Sequence, residues 1–189
     1  MVVFDASILL ALLSANIPAP RNPATNDPVD SFRERIDYLV KQLEADRTKI
    51  VIPTPALSEI LVRSGSAGPD YLSHINSASV FRVLPFDQRA AVEVASMTRD
   101  AIGQGNKRGG SDATWAKVKY DRQIVAIAKV EGASVIYSDD GGVHRIGVAA
   151  GLTVLRTAGL PLPPEDTQRK LEFEGGRPDV EEAEQEDNG

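Results

Sequence analysis

The stretch Met1-Val2-Val3-Phe4-Asp5-Ala6-Ser7-Ile8-Leu9-Leu10 decides the fold. Val2-Val3-Phe4 is a short apolar run and reads as a buried strand. Asp5 ends it, and Ser7 to Ser14 follows at once as a helix with Ser7 as its N-cap. The same alternation recurs along the chain. Ile50-Val51-Ile52 is a second buried strand, followed by a helix that Thr54 caps and Pro55 opens. Val80 to Leu84 and Ser134 to Tyr137 predict strands three and four, and Thr153 to Leu155 a fifth. Strands alternating with helices predict an α/β fold around a mainly parallel sheet.

Between these strands, Phe32, Ile36, Leu39, Val40 and Leu43 recur at helical spacing and form a core-packing stripe. A short helix is expected over Tyr71 to Ile75, and longer ones over Gln88 to Ile102 and Val118 to Val130. Val143 to Ala150 forms a last short helix. Pro18, Pro20, Pro23 and Pro28 mark one irregular loop, and residues 103–115 form a glycine-rich, basic one.

Composition narrows the chemistry. The 189 residues contain no cysteine and two histidines, His74 and His144. Thiolate nucleophiles, zinc–thiolate sites, iron–sulfur clusters and three-histidine metal sites are therefore excluded. No apolar run approaches the roughly 20 residues of a membrane span. The N-terminus lacks a basic leader, so a cytoplasmic protein is expected. The net charge of −6 is unevenly placed: residues 165–189 hold ten acids against three bases, a net of −7, whereas residues 1–164 are at +1. Nucleic acid thus stays open as a substrate. Composition from Pro161 onward predicts disorder.

Acids stand where an open α/β sheet places its ligands, outside the carboxyl ends of the strands. Asp5 ends strand one, and Asp139 and Asp140 follow strand four. Asp121 shares a helical stripe with Ile124, Val125 and Ala128, and so points inward at the N-terminal end of its helix. Glu59 borders the packed face of another helix. Singly, each has an ordinary alternative: Asp5 or Asp121 as a helix cap, Glu59 as a solvated or salt-bridged residue, Asp139 and Asp140 as a turn. The set is informative. Two like charges about 4 Å apart repel by roughly 4 kcal/mol at an effective dielectric near 20. Converging carboxylates need protonation or a cation, and oxygen-only donors favour Mg²⁺ or Mn²⁺. The chemistry that follows is metal-assisted phosphoester hydrolysis.

These residues resemble the PIN-domain ribonucleases, familiar as VapC-type toxins. Val3-Phe4-Asp5-Ala6-Ser7 looks like the family's strand-one aspartate with a small hydroxyl residue. Pro55-Ala56-Leu57-Ser58-Glu59-Ile60-Leu61 looks like its acidic helix. Tyr120-Asp121 through Ala128 resembles the aspartate helix before strand four, and Ser138-Asp139-Asp140 its hydroxyl–x–acid motif. The resemblance covers residues 1–158, leaving 159–189 as an acidic tail. It implies a three-layer α/β/α sandwich and a divalent-metal-dependent ribonuclease that leaves a 5′-phosphate and a 3′-hydroxyl. It implies Asp5, Glu59, Asp121 and Asp140 as catalytic metal ligands, with Asp139 able to ligate through water. Ser7 and Ser138 would orient Asp5 or a bound water. Mg²⁺ or Mn²⁺ as cofactor, RNA as substrate, a homodimer and a cognate antitoxin come with it, and with them the toxin role in a type II toxin–antitoxin pair.

Lys107, Arg108, Lys117, Lys119 and Arg122 are candidate RNA-phosphate contacts, and Trp115 is either a base-stacking platform or core. His144 reads as a surface histidine. A haloacid-dehalogenase-type phosphatase would need a second acid two residues after Asp5, where Ser7 stands. The alternative that keeps the fold is a non-catalytic PIN-like domain that binds RNA or another protein, with the Phe32–Leu43 helix as one docking surface. The acidic tail could in addition contact the basic loop and reduce non-specific RNA binding.

Overall fold

The computed structural model describes residues 1–164. The acidic stretch for which composition predicts disorder lies, from residue 165 on, outside the described residues.

Three strands are apolar throughout because both of their faces are covered. They are β1 (Val2–Phe4), β2 (Ile50–Pro53) and β4 (Val135–Tyr137), of which β1 and β2 are buried at every position. The edge strands β3 (Phe81–Leu84) and β5 (Thr153–Leu155) are only partly buried. The five form one parallel sheet in the order β3-β2-β1-β4-β5. Parallel neighbours require crossovers, and the helices supply them.

Helix α1 (Ala6–Leu13) is apolar on all sides and is buried at Ala6, Ile8, Leu9, Leu10 and Ala11. Helix α2 (Phe32–Ala45) turns Ile36, Leu39 and Leu43 to the core, as its stripe predicts. With α3 (Thr54–Ser64) and α4 (Gly68–Ser77) these helices form one contiguous layer. Helices α5 (Gln88–Gly103), α6 (Trp115–Val130) and α7 (Gly141–Ala149) pack on one another as the second layer. Right-handed crossovers place the two groups on opposite faces, since β1 and β2 connect toward one edge while β3 and β4 connect toward the other. The result is the three-layer α/β/α sandwich.

Several boundaries differ from the sequence reading. Asp5, not Ser7, holds the N-cap position of α1, although its side chain makes no cap hydrogen bond. Thr54 lies inside α3, behind Pro53, and its hydroxyl accepts from the backbone N–H of Phe86 at 3.1 Å instead of capping its own helix. Helix α6 begins three residues earlier than Val118, because the Thr114 hydroxyl accepts from Lys117 N at 3.3 Å. Packing continues just past residue 158: Leu160 is buried, and its carbonyl accepts from the Arg35 guanidinium. Among the described residues no helix is long and apolar enough to cross a membrane.

Candidate metal centre

The chain leaves β1 toward one edge of the sheet and enters β4 on the other side of β1. The carboxyl ends of these adjacent strands therefore open a crevice, the switch point where ligands bind in such sheets. The register fixes what stands there. Phe4 pairs with Tyr137, so Asp5 and Ser138 emerge side by side. Asp5 N donates to Tyr137 O at 3.1 Å, and Ser138 Oγ donates to Asp5 Oδ2 at 2.8 Å. Ser7 Oγ donates to the same oxygen at 3.3 Å and accepts from Asp139 N at 3.0 Å. Two hydroxyls thus tie the ends of β1 and β4 together around one carboxylate. Burial pushes the Asp5 carboxyl up from 3.8 to about 6, against the opposing effect of the Ser138 hydrogen bond.

Asp121 arrives from α6. It lies in the second turn, not at the N-terminal end, because the helix starts at Trp115. The helix dipole, which fades within the first turn, gives it little help there. The residue is 1% exposed, and burial raises its carboxyl above the ordinary value. Lys117, one turn earlier, donates from Nζ to Asp121 Oδ1 at 2.5 Å. Oδ2 is buried and has no hydrogen-bond partner among the described residues. It faces the backbone of Gly142, where an added Cβ would stand 2.1 Å away.

Asp140 is the N-cap of α7. Its Oδ1 accepts from Gly142 N at 2.7 Å and Val143 N at 3.1 Å. Its Oδ2 lies 3.0 Å from Lys117 Nζ. Burial would raise this carboxyl, but Lys117 and the two backbone donors outweigh it and hold it below the usual carboxylate value. The same two carboxylates hold the Lys117 ammonium above its ordinary value despite its partial burial.

Glu59 stands across the crevice on α3, with 33% of its side chain exposed and Arg63 at 2.9 Å. Its charge also acts on Asp121. Asp5, Ser7, Glu59, Arg63 and Asp140 line a cleft of about 220 Å³. A larger hollow of about 320 Å³, bordered by Glu93, Asp100, Arg108 and Arg145, holds none of these acids.

Three residues sit differently from their sequence reading. Asp139 borders the cleft, but both carboxylate oxygens are taken: Oδ1 accepts from Thr157 N at 2.9 Å and Oδ2 from Thr157 Oγ1 at 2.5 Å. It clasps the β4 and β5 ends together, with one hydrogen bond already accepted at each oxygen. Arg122 is 4% exposed and donates to Thr98 Oγ1 at 3.0 Å, which removes it from any phosphate-binding surface. Lys117 points into the acid cluster, while Lys107, Arg108 and Lys119 stay exposed. Trp115 is half-buried, with the Lys107 ammonium 5.1 Å and the Arg122 guanidinium 5.6 Å from its ring centre. That arrangement fastens the glycine-rich loop to α6.

Among the described residues no three acidic or histidine side chains form a ready-made metal-binding group. The Lys117 ammonium instead bridges two of the acids. The donor set is nevertheless suited to a hard divalent ion: carboxylate oxygens only, one of them buried without a partner, around a point already held by a positive charge.

Neither a protein-family model nor a curated protein matches the sequence. Solved structures do. The FitAB complex bound to an IR36 DNA fragment is 17% identical, with 85% of this chain and 98% of that one covered at a TM-score of 0.55. VapBC2 from Rickettsia felis, bound to a fragment of promoter DNA, is 14% identical over 82% and 98% of the two chains at 0.54. Mycobacterium tuberculosis VapC20, a toxin that cleaves the Sarcin-Ricin loop, is 17% identical over 85% and 100% at 0.50. With its five parallel strands and two helical layers, the chain has the VapC-type PIN fold.

Proposed function

We propose that the protein is a divalent-metal-dependent ribonuclease and the toxin of a type II toxin–antitoxin pair. The observation that carries the reading is the placement of Asp5 and Asp140 on one cleft at the β1/β4 switch point, with Glu59 across it and Asp121, its Oδ2 unpartnered among the described residues, joined to Asp140 through Lys117. Similarity to FitAB, VapBC2 and VapC20 supports it. Asp5, Asp121 and Asp140 would hold Mg²⁺ or Mn²⁺, which when bound offsets phosphate charge and acidifies a water.

The chain's own groups do the rest. Ser138 and Ser7 hold Asp5 Oδ2 in place, and the α7 N-terminus holds Asp140 through Gly142 N and Val143 N. Among the described residues Glu59 is tied by Arg63 alone, and it borders the open cleft, so its carboxylate orients the attacking water and takes its proton. Lys107, Arg108 and Lys119, exposed around the loop and the start of α6, contact RNA phosphates. A protein antitoxin and a homodimer complete the reading.

The test is incubation of the full-length chain with RNA in Mg²⁺ and in EDTA, beside Asp121→Asn. Cleavage that leaves 5′-phosphate ends, and that both EDTA and the substitution abolish, is the expected result. The salt-bridged Lys117, which already neutralises part of the cluster, favours a second reading as a non-catalytic RNA-binding domain. RNA binding without cleavage under all conditions would select that one.

A further inference from the structure

Lys117 enters the acid cluster from the first turn of α6. Its ammonium lies 2.5 Å from Asp121 Oδ1 and 3.0 Å from Asp140 Oδ2. Two carboxylates from separate elements thus converge on one positive group, as they would on a bound ion. Its side chain is 40% exposed. A lysine stem of four flexible carbons can swing to solvent from there without moving the helix. A divalent ion between the same oxygens would meet the ammonium at a few ångströms, where like charges repel. Asp121 Oδ2, which has no partner among the described residues, adds one more carboxylate oxygen to this donor set.

We propose that Lys117 is a built-in competitor for the divalent ion. The ammonium closes the metal-free site, and the ion loads by displacing it, so this exchange sets the metal affinity. The proposal rests on the reading of the cluster as a metal site. Glu59 and Arg63, also four residues apart on one helix, repeat the arrangement across the cleft at 2.9 Å.

The experiment is calorimetric titration of Mn²⁺ into the full-length wild type, Lys117→Met and Lys117→Arg, with thermal melts in EDTA and in saturating Mn²⁺. Lys117→Met should bind Mn²⁺ at least tenfold more tightly than wild type. It should melt lower in EDTA, having lost the counter-charge, and recover in Mn²⁺. Lys117→Arg keeps the charge and should bind no more tightly than wild type. Should Lys117→Met fail to fold, Lys117→Gln, neutral and still able to donate to Asp121, takes its place with the same expectation. Wild-type binding with unchanged or weaker affinity in the neutral variants would overturn the competition and leave the metal site standing. Absence of Mn²⁺ binding in every variant would overturn both.

Discussion

Asp5→Asn isolates the cost of gathering acids at the end of β1. Asp5 is buried, and its carboxyl is raised from 3.8 to about 6. At about 1.4 kcal/mol for each tenfold change in proton affinity, an ionised Asp5 costs the metal-free fold about 3 kcal/mol. Below pH 3.8 the carboxyl is protonated in both the folded and the unfolded chain, and the cost is nil. It grows as the pH rises to about 6 and is constant above that. Asparagine keeps an oxygen for the Ser138 and Ser7 hydroxyls while removing the charge. In EDTA at pH 7.5 the variant should therefore be more stable than wild type by up to about 3 kcal/mol, or roughly 6–12 °C in Tm for a chain of this size. The advantage should shrink between pH 6 and 4. Denaturant titrations across pH 3.5–8 measure it. Equal stability at pH 7.5, or an advantage that survives at pH 3.5, would refute the assignment of that cost to the buried charge.

Other residues give sharper, more local outcomes. Gly142→Ala places a methyl 2.1 Å from Asp121 Oδ2. It should cost about 1–3 kcal/mol by chemical denaturation, and Asp121→Ala in the same chain should recover much of that loss. Asp139→Ala removes both acceptors of Thr157 and should cost roughly 1–3 kcal/mol of stability while leaving Mn²⁺ affinity within twofold of wild type. Arg122→Met breaks the bond to Thr98 and the stack on Trp115, so it should lower the melting temperature without changing the salt dependence of RNA binding. Lys107→Ala and Arg108→Ala should do the reverse, each flattening the slope of log affinity against log salt by about 1.

Much of this architecture was legible because it rests on local pattern. Val2-Val3-Phe4, Ile50-Val51-Ile52 and Val135-Ile136-Tyr137 are apolar on both faces, and that alone argues for a covered parallel sheet. The acids that follow the first and last of these, Asp5 after β1 and Asp139-Asp140 after β4, come from the same pattern. What escaped depends on contacts across the fold. Asp139 and Asp140 are adjacent and chemically alike. Only the position of Thr157 after β5 decides that the first is consumed as a clasp while the second faces Lys117. Arg122 sits among basic neighbours in sequence, yet its place on α6 turns it under Trp115 toward α5. Gly142 reads as half of a turn, and its need to be glycine comes from Asp121, which is 21 residues away. Lys117 carried a usable signal. It precedes the inward-facing Asp121 by four residues, the spacing of a helical ion pair, and grouping it with the basic loop passed over that spacing.

A crystal of the full-length chain soaked in Mn²⁺, with diffraction collected at the manganese absorption edge, tests the site most directly. One anomalous peak within coordination distance of Asp5, Asp121 and Asp140, with the Lys117 ammonium moved out, is the expected result. A well-ordered site without manganese density, and with Lys117 still bridging Asp121 and Asp140, would contradict it.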